Sequence, residues 1–470
     1  MSSISALNSL LSSSSTSSSS VDLSAILEAA LGASSPGIDV TSAVNAGVTA
    51  AQAPEQAWQA QESTLQSQST ALQQIQSDAS NLDNDIVALN SLTGPLSART
   101  VSSSNSNVVT ASAASGSTIG NHVVVVNNLA TTASWTSGTF ASSSTAMPAG
   151  SFTITTGSGS SATITTTGTQ TLSDVANQIN GDSLGVTASV VTDSSGSRLA
   201  IVANTSGSSA NFTVSSGSGF TQAVTGKDAS LTVDGISITS ASNTVTGAVS
   251  GLTLNLLSAS PGTEVSLGVT PNTTQAAAAI NQFVTDYNTA ISDLNAQFTF
   301  SGSSEGVLSG DSTIRNLQSD LLGALDYTAT PADGSTTTTI PNLSSLGITV
   351  GNDGKLNVDS ATLQSTLQNN FGDVQNFFQG TAFNGFANSL DQQLTNFISP
   401  SNGAFTVELQ SMNSQYTALQ TNISDFETNY ITPLKAQLQS EYSQAEILLQ
   451  QLPNEMKQIS TELGQNSSGS

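Results

Sequence analysis

Apolar residues recur at alternating steps of three and four along both ends of the chain, and this heptad spacing is the strongest constraint on its fold. Such spacing places an apolar stripe along a long helix, and the stripe must pack against another element to leave water. From about residue 100 to residue 269 the period changes to two, which is typical of strands with one buried face. The predicted order is therefore helical, then β-rich, then helical.

Four seams carry the heptad spacing. The first ends before Gly94 and Pro95, which disfavour helix, and the second has Thr273 or Thr274 as a candidate N-cap. The phase slips near Pro433, which lacks an amide donor and should kink or interrupt the last helix. The expected seam residues are Leu65, Leu72, Ile75, Leu82, Ile86 and Leu89 in the first seam, Ile280, Val284, Tyr287, Ile291 and Leu294 in the second, Leu419, Ile423 and Phe426 in the third, and Leu449, Leu452, Met456 and Ile459 in the fourth.

A seam can be buried inside its own chain or can bind another chain, and we interpret all four as assembly seams. For the first two seams, intramolecular core packing is an equally open interpretation. For the fourth, which spans Tyr442 to Leu463, an intermolecular role is favoured. The reason is that the sequence offers this terminal helix no obvious partner other than the Ser-rich N-terminal tail.

These patterns predict an α+β multidomain fold with a helical coiled-coil stalk formed by both chain ends and β-rich head domains inserted between them. The expected boundaries are a disordered Ser-rich N-terminal tail at 1–45, an N-terminal stalk helix at 46–98, an inner β domain built from 99–133 and 226–270, an outer β-rich head domain at 134–225, a helical stalk domain with a β-hairpin at 271–400, and C-terminal coiled-coil helices at 401–470.

Three local elements are predicted inside this plan. Residues Thr171 to Asn180 carry apolar residues on one helical face, so one short helix should lie among the strands. A further helix should begin after Asp311. Asp353 and Gly354 should supply the positive φ angles of a tight hairpin turn.

The charge balance excludes several classes of protein. The chain has 7 Lys and Arg against 32 Asp and Glu, for a net charge of -25, so it lacks the basic surface that nucleic-acid binding requires. It has no Cys and one His, which removes disulfides, thiol catalysis and most metal or acid-base sites. We also find neither a Sec signal nor a membrane span, so export by another route stays open.

The remaining candidate groups favour structural interpretations. His122 is expected to be a surface or edge-strand residue. Asp78, Asp83 and Asp85 are expected to lie on a solvated helix face, in preference to forming a catalytic carboxylate pair. A calcium site is disfavoured relative to hairpin chemistry for the polar group Asn352, Asp353, Asn357 and Asp359. No catalytic, cofactor-binding or metal site is predicted.

Five stretches follow one another in a characteristic order. They are Gly37–Val40 with the Gln-rich helix to Leu92, His122–Ala130, Thr171–Asn180 with Gly185–Ser189 and Arg198–Ile201, Asp228–Ile238 with Asn243–Val245 and Gly251–Leu256, and Leu343–Asp359 continuing to Phe378. Together they resemble the flagellar filament-cap protein family, also called flagellar hook-associated protein 2. The chain departs from that family's pattern in its longer Ser-rich tail and in the few Lys and Arg of its helices.

The resemblance implies a secreted, non-enzymatic protein at the distal tip of the bacterial flagellum, needed for filament elongation and motility. It implies a homo-oligomer that forms a plate of several subunits, about five, and guides exported flagellin into the growing filament. Further implied partners are the hook-filament junction protein, an export chaperone on the C-terminal helix, and host mucin or glycans. It implies no cofactor, no nucleic acid and no membrane span.

Two alternatives remain. A Ser/Thr-rich surface adhesin that binds host glycans would explain the β-rich middle but not the heptads at both ends. Another flagellar axial subunit, hook-associated or flagellin-like, is disfavoured by the stretches Asp228–Leu256 and Leu343–Phe378.

Overall fold

The computed structural model describes residues 39–215, 219–301, 304–329, 339–381 and 384–466. Most of the predicted tail at 1–45 therefore lies outside the described residues. Its last part is helical, because a helix begins at Val40 and the Asp39 carboxylate accepts a hydrogen bond from the Ser42 amide at 3.1 Å. The prediction of disorder up to residue 45 is wrong there.

Ten α-helices are found in the described residues, with a π-helical segment at Glu427–Ile431 and 3₁₀ turns at Pro95–Ser97, Ser208–Ala210 and Leu343–Leu346. The helices are α1 (Val40–Ala51), α2 (Ala53–Asn90), α3 (Leu172–Gly181), α4 (Thr273–Phe298), α5 (Ser312–Ala324), α6 (Ser360–Asn369), α7 (Phe371–Gln379), α8 (Phe386–Ile398), α9 (Ala404–Phe426) and α10 (Thr432–Asn466).

The strands of the described residues pair antiparallel throughout. They are β1 (Arg99–Ser103), β2 (Val109–Ala113), β3 (Gly120–Asn128), β4 (Ser134–Thr136), β5 (Gly150–Thr156), β6 (Ser161–Thr166), β7 (Val186–Asp193), β8 (Gly196–Ala203), β9 (Phe212–Val214), β10 (Thr221–Val224), β11 (Ala229–Val233), β12 (Ile236–Ser240), β13 (Thr244–Thr246), β14 (Leu252–Leu256), β15 (Val265–Pro271), β16 (Phe300–Ser301), β17 (Ser304–Glu305), β18 (Ile348–Val350) and β19 (Leu356–Val358). Helical ends and a β-rich middle confirm the predicted fold class.

The chain divides into two compact units. The first contains 1–80, 290–320 and 394–470, of which the described part brings the helices of both chain ends together. Helix α1 packs on α10, and a Cβ at Gly47 would lie only 2.9 Å from Leu438 Cδ1, so glycine permits this close approach. Helix α2 meets α9 through Trp58 and Phe426, whose ring centroids lie 5.5 Å apart.

The second unit, 81–289 and 321–393, contains two β-rich cores. One lies between the five-stranded sheet β1-β15-β3-β11-β12 and the three-stranded sheet β13-β14-β2. The other lies between the four-stranded sheet β10-β4-β8-β7, the three-stranded sheet β6-β5-β9 and helix α3. The predicted helix at 171–180 is confirmed as α3, whose capping box joins Thr171 to Asp174.

A helical part of the second unit is organised by aromatic rings. Phe377 and Phe386 stack with centroids 5.4 Å apart, and Phe283 meets Phe386 edge-on at 5.8 Å. One carbonyl in the last turn of α2 is satisfied here, because Gln379 Nε2 donates to the Leu89 carbonyl at 3.1 Å.

Asparagine side chains hold several segments of the second unit in place by pairing with both backbone groups of one residue. Asn180 accepts from the Ala188 amide at 2.7 Å and donates to its carbonyl at 3.0 Å. Ala188 lies on β7, an edge strand, so α3 satisfies backbone groups that no neighbouring strand pairs. The same two-bond arrangement joins Asn211 to Gly226, Asn243 to Ala130 and Asn288 to Leu356.

Two local predictions need correction. The cap of α4 is Asn272, whose side chain accepts from the Gln275 amide at 3.1 Å, in place of the predicted Thr273 or Thr274. In the β18–β19 hairpin only Gly354 has a positive φ, 79°, because this loop is longer than two residues.

The predicted outer head, 134–225, generates a testable expectation. All buried residues of its core lie between 133 and 214, and the chain leaves and re-enters at one place, where the Thr131 amide donates to the Lys227 carbonyl at 2.9 Å. Replacing 134–225 by a short Gly-Ser linker should therefore leave the inner β core and the helices folded, as measured by circular dichroism and cooperative thermal unfolding.

A matched control is deletion of β11 and β12, which should unfold the inner core because Leu231 and Val233 are buried in it. Loss of helical signal on removal of 134–225 would contradict the expected boundaries.

Candidate functional site

The first and second seams are buried inside the chain. Leu72, Leu82 and Leu89 of the first seam are fully buried, and Leu65 is nearly so. The remaining residues of these two seams, Ile75, Ile86, Ile280, Val284, Tyr287, Ile291 and Leu294, are also buried. Intramolecular core packing, one of the two open interpretations, accounts for these positions, and their burial leaves them no surface for a partner.

The third seam lies where α9 meets α2. Leu419 is buried, while Ile423 and Phe426 are half-buried. The Phe426 ring stacks on Tyr430 at 5.0 Å, besides its contact with Trp58. This seam therefore helps to join the two chain ends.

A π-helical turn interrupts the helix immediately before Pro433. The Thr432 amide donates to the Glu427 carbonyl, one residue further back than in an α-helix. The wider turn makes room for the proline ring and accommodates its missing amide. The predicted interruption near Pro433 is confirmed. The π-helical segment Glu427–Ile431 is where the heptad spacing changes phase.

The fourth seam is open on α10. Leu449 is half-buried, but Leu452 is 47% exposed and Ile459 is 56% exposed. Ile447 and Leu448 are exposed on the same helix, at 55% and 63%. The side chain of Met456 lies outside the described residues. These exposed apolar side chains, which we call the α10 apolar surface, form a candidate binding surface.

His122 holds a hairpin turn. It lies on β3, between β15 and β11, so of the two predicted positions the edge strand is wrong, while its half-buried side chain still reaches the surface. Its Nδ1 lies 2.7 Å from Asp234 Oδ2, and the hydrogen bond from His122 keeps the pKa of Asp234 below its usual value. Asp234 and Gly235 both have positive φ, 51° and 81°, as a two-residue hairpin requires. The Asp-Gly pair between alternating strands was the sequence signal for this turn.

The expected solvated face of Asp78, Asp83 and Asp85 is wrong. Asp78 is buried and accepts from Gln74 Nε2 at 3.0 Å. Asp83 and Asp85 are half-buried, and each faces another carboxyl group, Asp391 and Asp286 respectively. Burial first, and the neighbouring carboxyl second, raise the pKa of Asp83 to about 6 and the pKa of Asp85 to about 7.

A third carboxyl pair lies in the first unit. Burial and Asp311 together raise the pKa of Glu408 to about 7. One oxygen in each of Asp83, Asp85 and Glu408 is buried and receives no hydrogen bond from a described donor. A single proton shared within each pair supplies the missing donor, so these groups favour the protonated form.

The polar group around Asp353 has a structural role. The Asp353 carboxylate accepts from the Lys355 amide at 3.1 Å, and Asp359 caps α6 by accepting from the Ala361 amide at 3.0 Å. Within the described ranges, no three His, Cys, Asp or Glu side chains are grouped so that they could hold a metal ion. In the same ranges, no helix is both long enough and apolar enough to cross a membrane.

Three family models match the chain in sequence. Residues 36–133 match the flagellar hook-associated protein 2 N-terminus, and residues 226–454 match the flagellar hook-associated protein 2 C-terminus. Between them, residues 151–205 match the flagellin hook IN motif. The two hook-associated models therefore account for both sides of the predicted outer head.

Individual relatives agree with these matches. The chain is 27% identical over 393 residues to the B-type flagellar hook-associated protein 2 of Pseudomonas aeruginosa, covering 75% of this chain and 79% of that protein. It is 26% identical over 376 residues to the flagellar hook-associated protein 2 of Aeromonas caviae, covering 74% and 79%. A crystal structure of the D1-D2-D3 domains of the flagellar cap protein FliD from Escherichia coli has the same fold, with a TM-score of 0.58, 24% identity and coverage of 73% of this chain and 99% of that one.

The carboxyl pairs predict how stability depends on pH. A group whose pKa is raised by folding stabilises the folded state most at low pH, and loses that contribution as pH rises through its folded pKa. For Asp83, Asp85 and Glu408 that loss begins near the unfolded values, 3.8 to 4.5, and is complete above about pH 7, so the melting temperature should decrease between pH 5 and pH 8. The substitution Asp85→Asn, which mimics the neutral acid, should raise the melting temperature at pH 8 and flatten this dependence.

The control is Asp320→Asn, which removes the same charge from an exposed position on α5. Thermal unfolding followed by circular dichroism at both pH values measures the effect. Equal behaviour of the two variants would show that the Asp85 and Asp286 pair has no such role.

Proposed function

The chain belongs to the flagellar hook-associated protein 2 family, and on this basis we propose that it is a secreted, non-enzymatic cap at the distal tip of a bacterial flagellar filament. The observation that carries the proposal is the order of the matches, with the N-terminal and C-terminal family models on either side of the hook IN motif. The adhesin alternative does not account for a family match at both ends. An unspecified axial subunit does not account for the C-terminal model.

In the proposed mechanism, several copies, about five, form a plate that confines exported flagellin and guides it into the next site of the growing filament. No covalent chemistry is needed. The antiparallel cores of the second unit support this role, because sheets packed on both sides of a buried core are suited to rigid plate subunits. The predicted outer head, 134–225, would be exposed at the tip.

The helices of the first unit are proposed to contact the filament. Of the four seams, only the fourth leaves large apolar side chains exposed in the described residues, so we keep the assembly role for this seam. An amphipathic helix of this kind binds an apolar groove in a partner. The partners we propose for the α10 apolar surface are the hook-filament junction protein and an export chaperone.

The location is tested by labelling. In cells that make the protein, gold-labelled antibody against the predicted outer head should bind one end of each filament and no other position, as seen by negative-stain electron microscopy. In cells lacking the protein, filaments should be absent or short and flagellin should accumulate in the medium. Label along the filament shaft would favour a flagellin-like subunit and contradict the cap.

The assembly role is tested by the double substitution Leu449→Asp and Leu452→Asp. A carboxylate at Leu452 on the α10 apolar surface, with a second at the neighbouring half-buried Leu449, should prevent apolar docking, because a charged group buried without a partner is strongly disfavoured. We expect loss of swimming motility in soft agar, with thermal unfolding of the purified chain changed little.

The matched control is Gln444→Asp with Gln451→Asp, which adds the same charge at exposed polar positions of α10. This control should swim normally. Normal motility of the leucine variant would remove the proposed role of the fourth seam.

A further inference from the structure

An acidic groove of about 430 Å³ lies in the first unit, between α2 and the end of α9 with the π-helical segment. Three glutamates line it, two from α2 and one from the first π-helical position. The lining residues, none of which is Lys or Arg, are Glu55, Glu62, Gln420, Ile423, Ser424, Glu427 and Thr428.

Glu55 has an unsatisfied carboxylate oxygen at this groove. The residue is only 9% exposed, and its Oε1 accepts from Gln59 Nε2 at 3.0 Å. Its Oε2 is buried and accepts no hydrogen bond from any described residue. A buried carboxylate oxygen without a donor is costly, so the groove provides an acceptor for a donor that comes from outside the described chain.

The other two glutamates are held near this acceptor by the helix packing. Glu62 is one heptad from Glu55 on α2, accepts from Gln420 Nε2 at 3.2 Å and also receives the Tyr416 hydroxyl. Glu427 is exposed at the start of the π-helical segment. The Trp58 and Phe426 contact fixes the spacing of α2 and α9 beside them.

The arrangement favours an extended cationic ligand. The three carboxylates do not form one of the tight acidic groups that could hold a metal ion, since the described residues contain none. Ammonium and guanidinium groups on long side chains can reach one buried acceptor while the other carboxylates contribute attraction. The chain itself has only seven Lys and Arg against 32 Asp and Glu, so a complementary basic surface is best supplied by another protein.

We propose that this acidic groove is a docking site for a Lys- or Arg-bearing segment of a partner protein, with one cationic side chain pairing with the Glu55 carboxylate. The inference is independent of the proposed capping function, because it follows from the lining residues of the first unit alone. Docking at the groove and docking on the α10 apolar surface involve different residues and different chemistry.

The test uses the purified full chain and a fluorescein-labelled peptide of alternating Lys and Ala, followed by fluorescence anisotropy at low and at physiological salt. The triple substitution Glu55→Gln, Glu62→Gln and Glu427→Gln should weaken binding about tenfold, because it removes the groove's charge and its charged acceptor. A peptide with Gln in place of Lys should not bind.

The matched control carries Glu441→Gln, Glu446→Gln and Glu455→Gln on α10, which changes the net charge by the same amount at two exposed positions and one half-buried position, Glu446. This control should keep nearly all the affinity. Equal loss in both triple variants would overturn the proposal, because it would assign peptide binding to the overall negative charge.

Two further measurements keep the result interpretable. The single substitution Glu427→Gln, at an exposed position, should weaken binding about twofold without altering thermal unfolding, so that an effect on the groove is separated from an effect on folding. Self-association in analytical ultracentrifugation that is lost in the groove variant and kept in the control variant would also overturn the proposal, because it would assign the groove to a second copy of the chain.

Discussion

Hydrogen bonds from uncharged side chains join distant segments of this fold, in a chain with few cationic side chains for ion pairs. The chain has few Lys and Arg, and the ion pairs seen among its described residues include His122 with Asp234 and Arg198 with Asp193. Carboxamides that pair with both backbone groups of one residue take over the role of joining distant segments, as Asn180 does for Ala188. Such bonds carry no net charge and are therefore little affected by salt, unlike surface ion pairs.

Three of the apolar seams pack inside the chain, whereas the fourth leaves apolar side chains exposed for a partner. Leu72 and Tyr287 belong to seams that are buried by intramolecular packing, whereas Leu452 and Ile459 are exposed on α10. Heptad spacing was equally clear in all of them, because it reports that a helix has an apolar face and not which surface covers it. That distinction concentrates the proposed assembly contacts at the C-terminal helix.

The carboxyl groups of this chain fall into two groups with different surroundings. Asp83, Asp85 and Glu408 face other carboxyl groups and favour a shared proton, whereas Glu55, Glu62 and Glu427 line an open groove. The first group ties stability to pH and the second supplies attraction for a cation. The formal net charge of -25 thus counts carboxyls that favour the protonated form together with carboxylates that attract cations.

The sequence by itself determined the order of helical and β-rich regions, the short helix α3, the interruption near Pro433 and the family, because hydrophobic period, capping chemistry and motif order are local properties of the chain. Only the tertiary structure decided that Asp83 meets Asp391, that Glu55 and Glu427 share one groove, and which seam stays exposed. These outcomes join residues hundreds of positions apart. Burial and the electrostatic environment of a carboxyl depend on such neighbours, and no local pattern in the sequence records them.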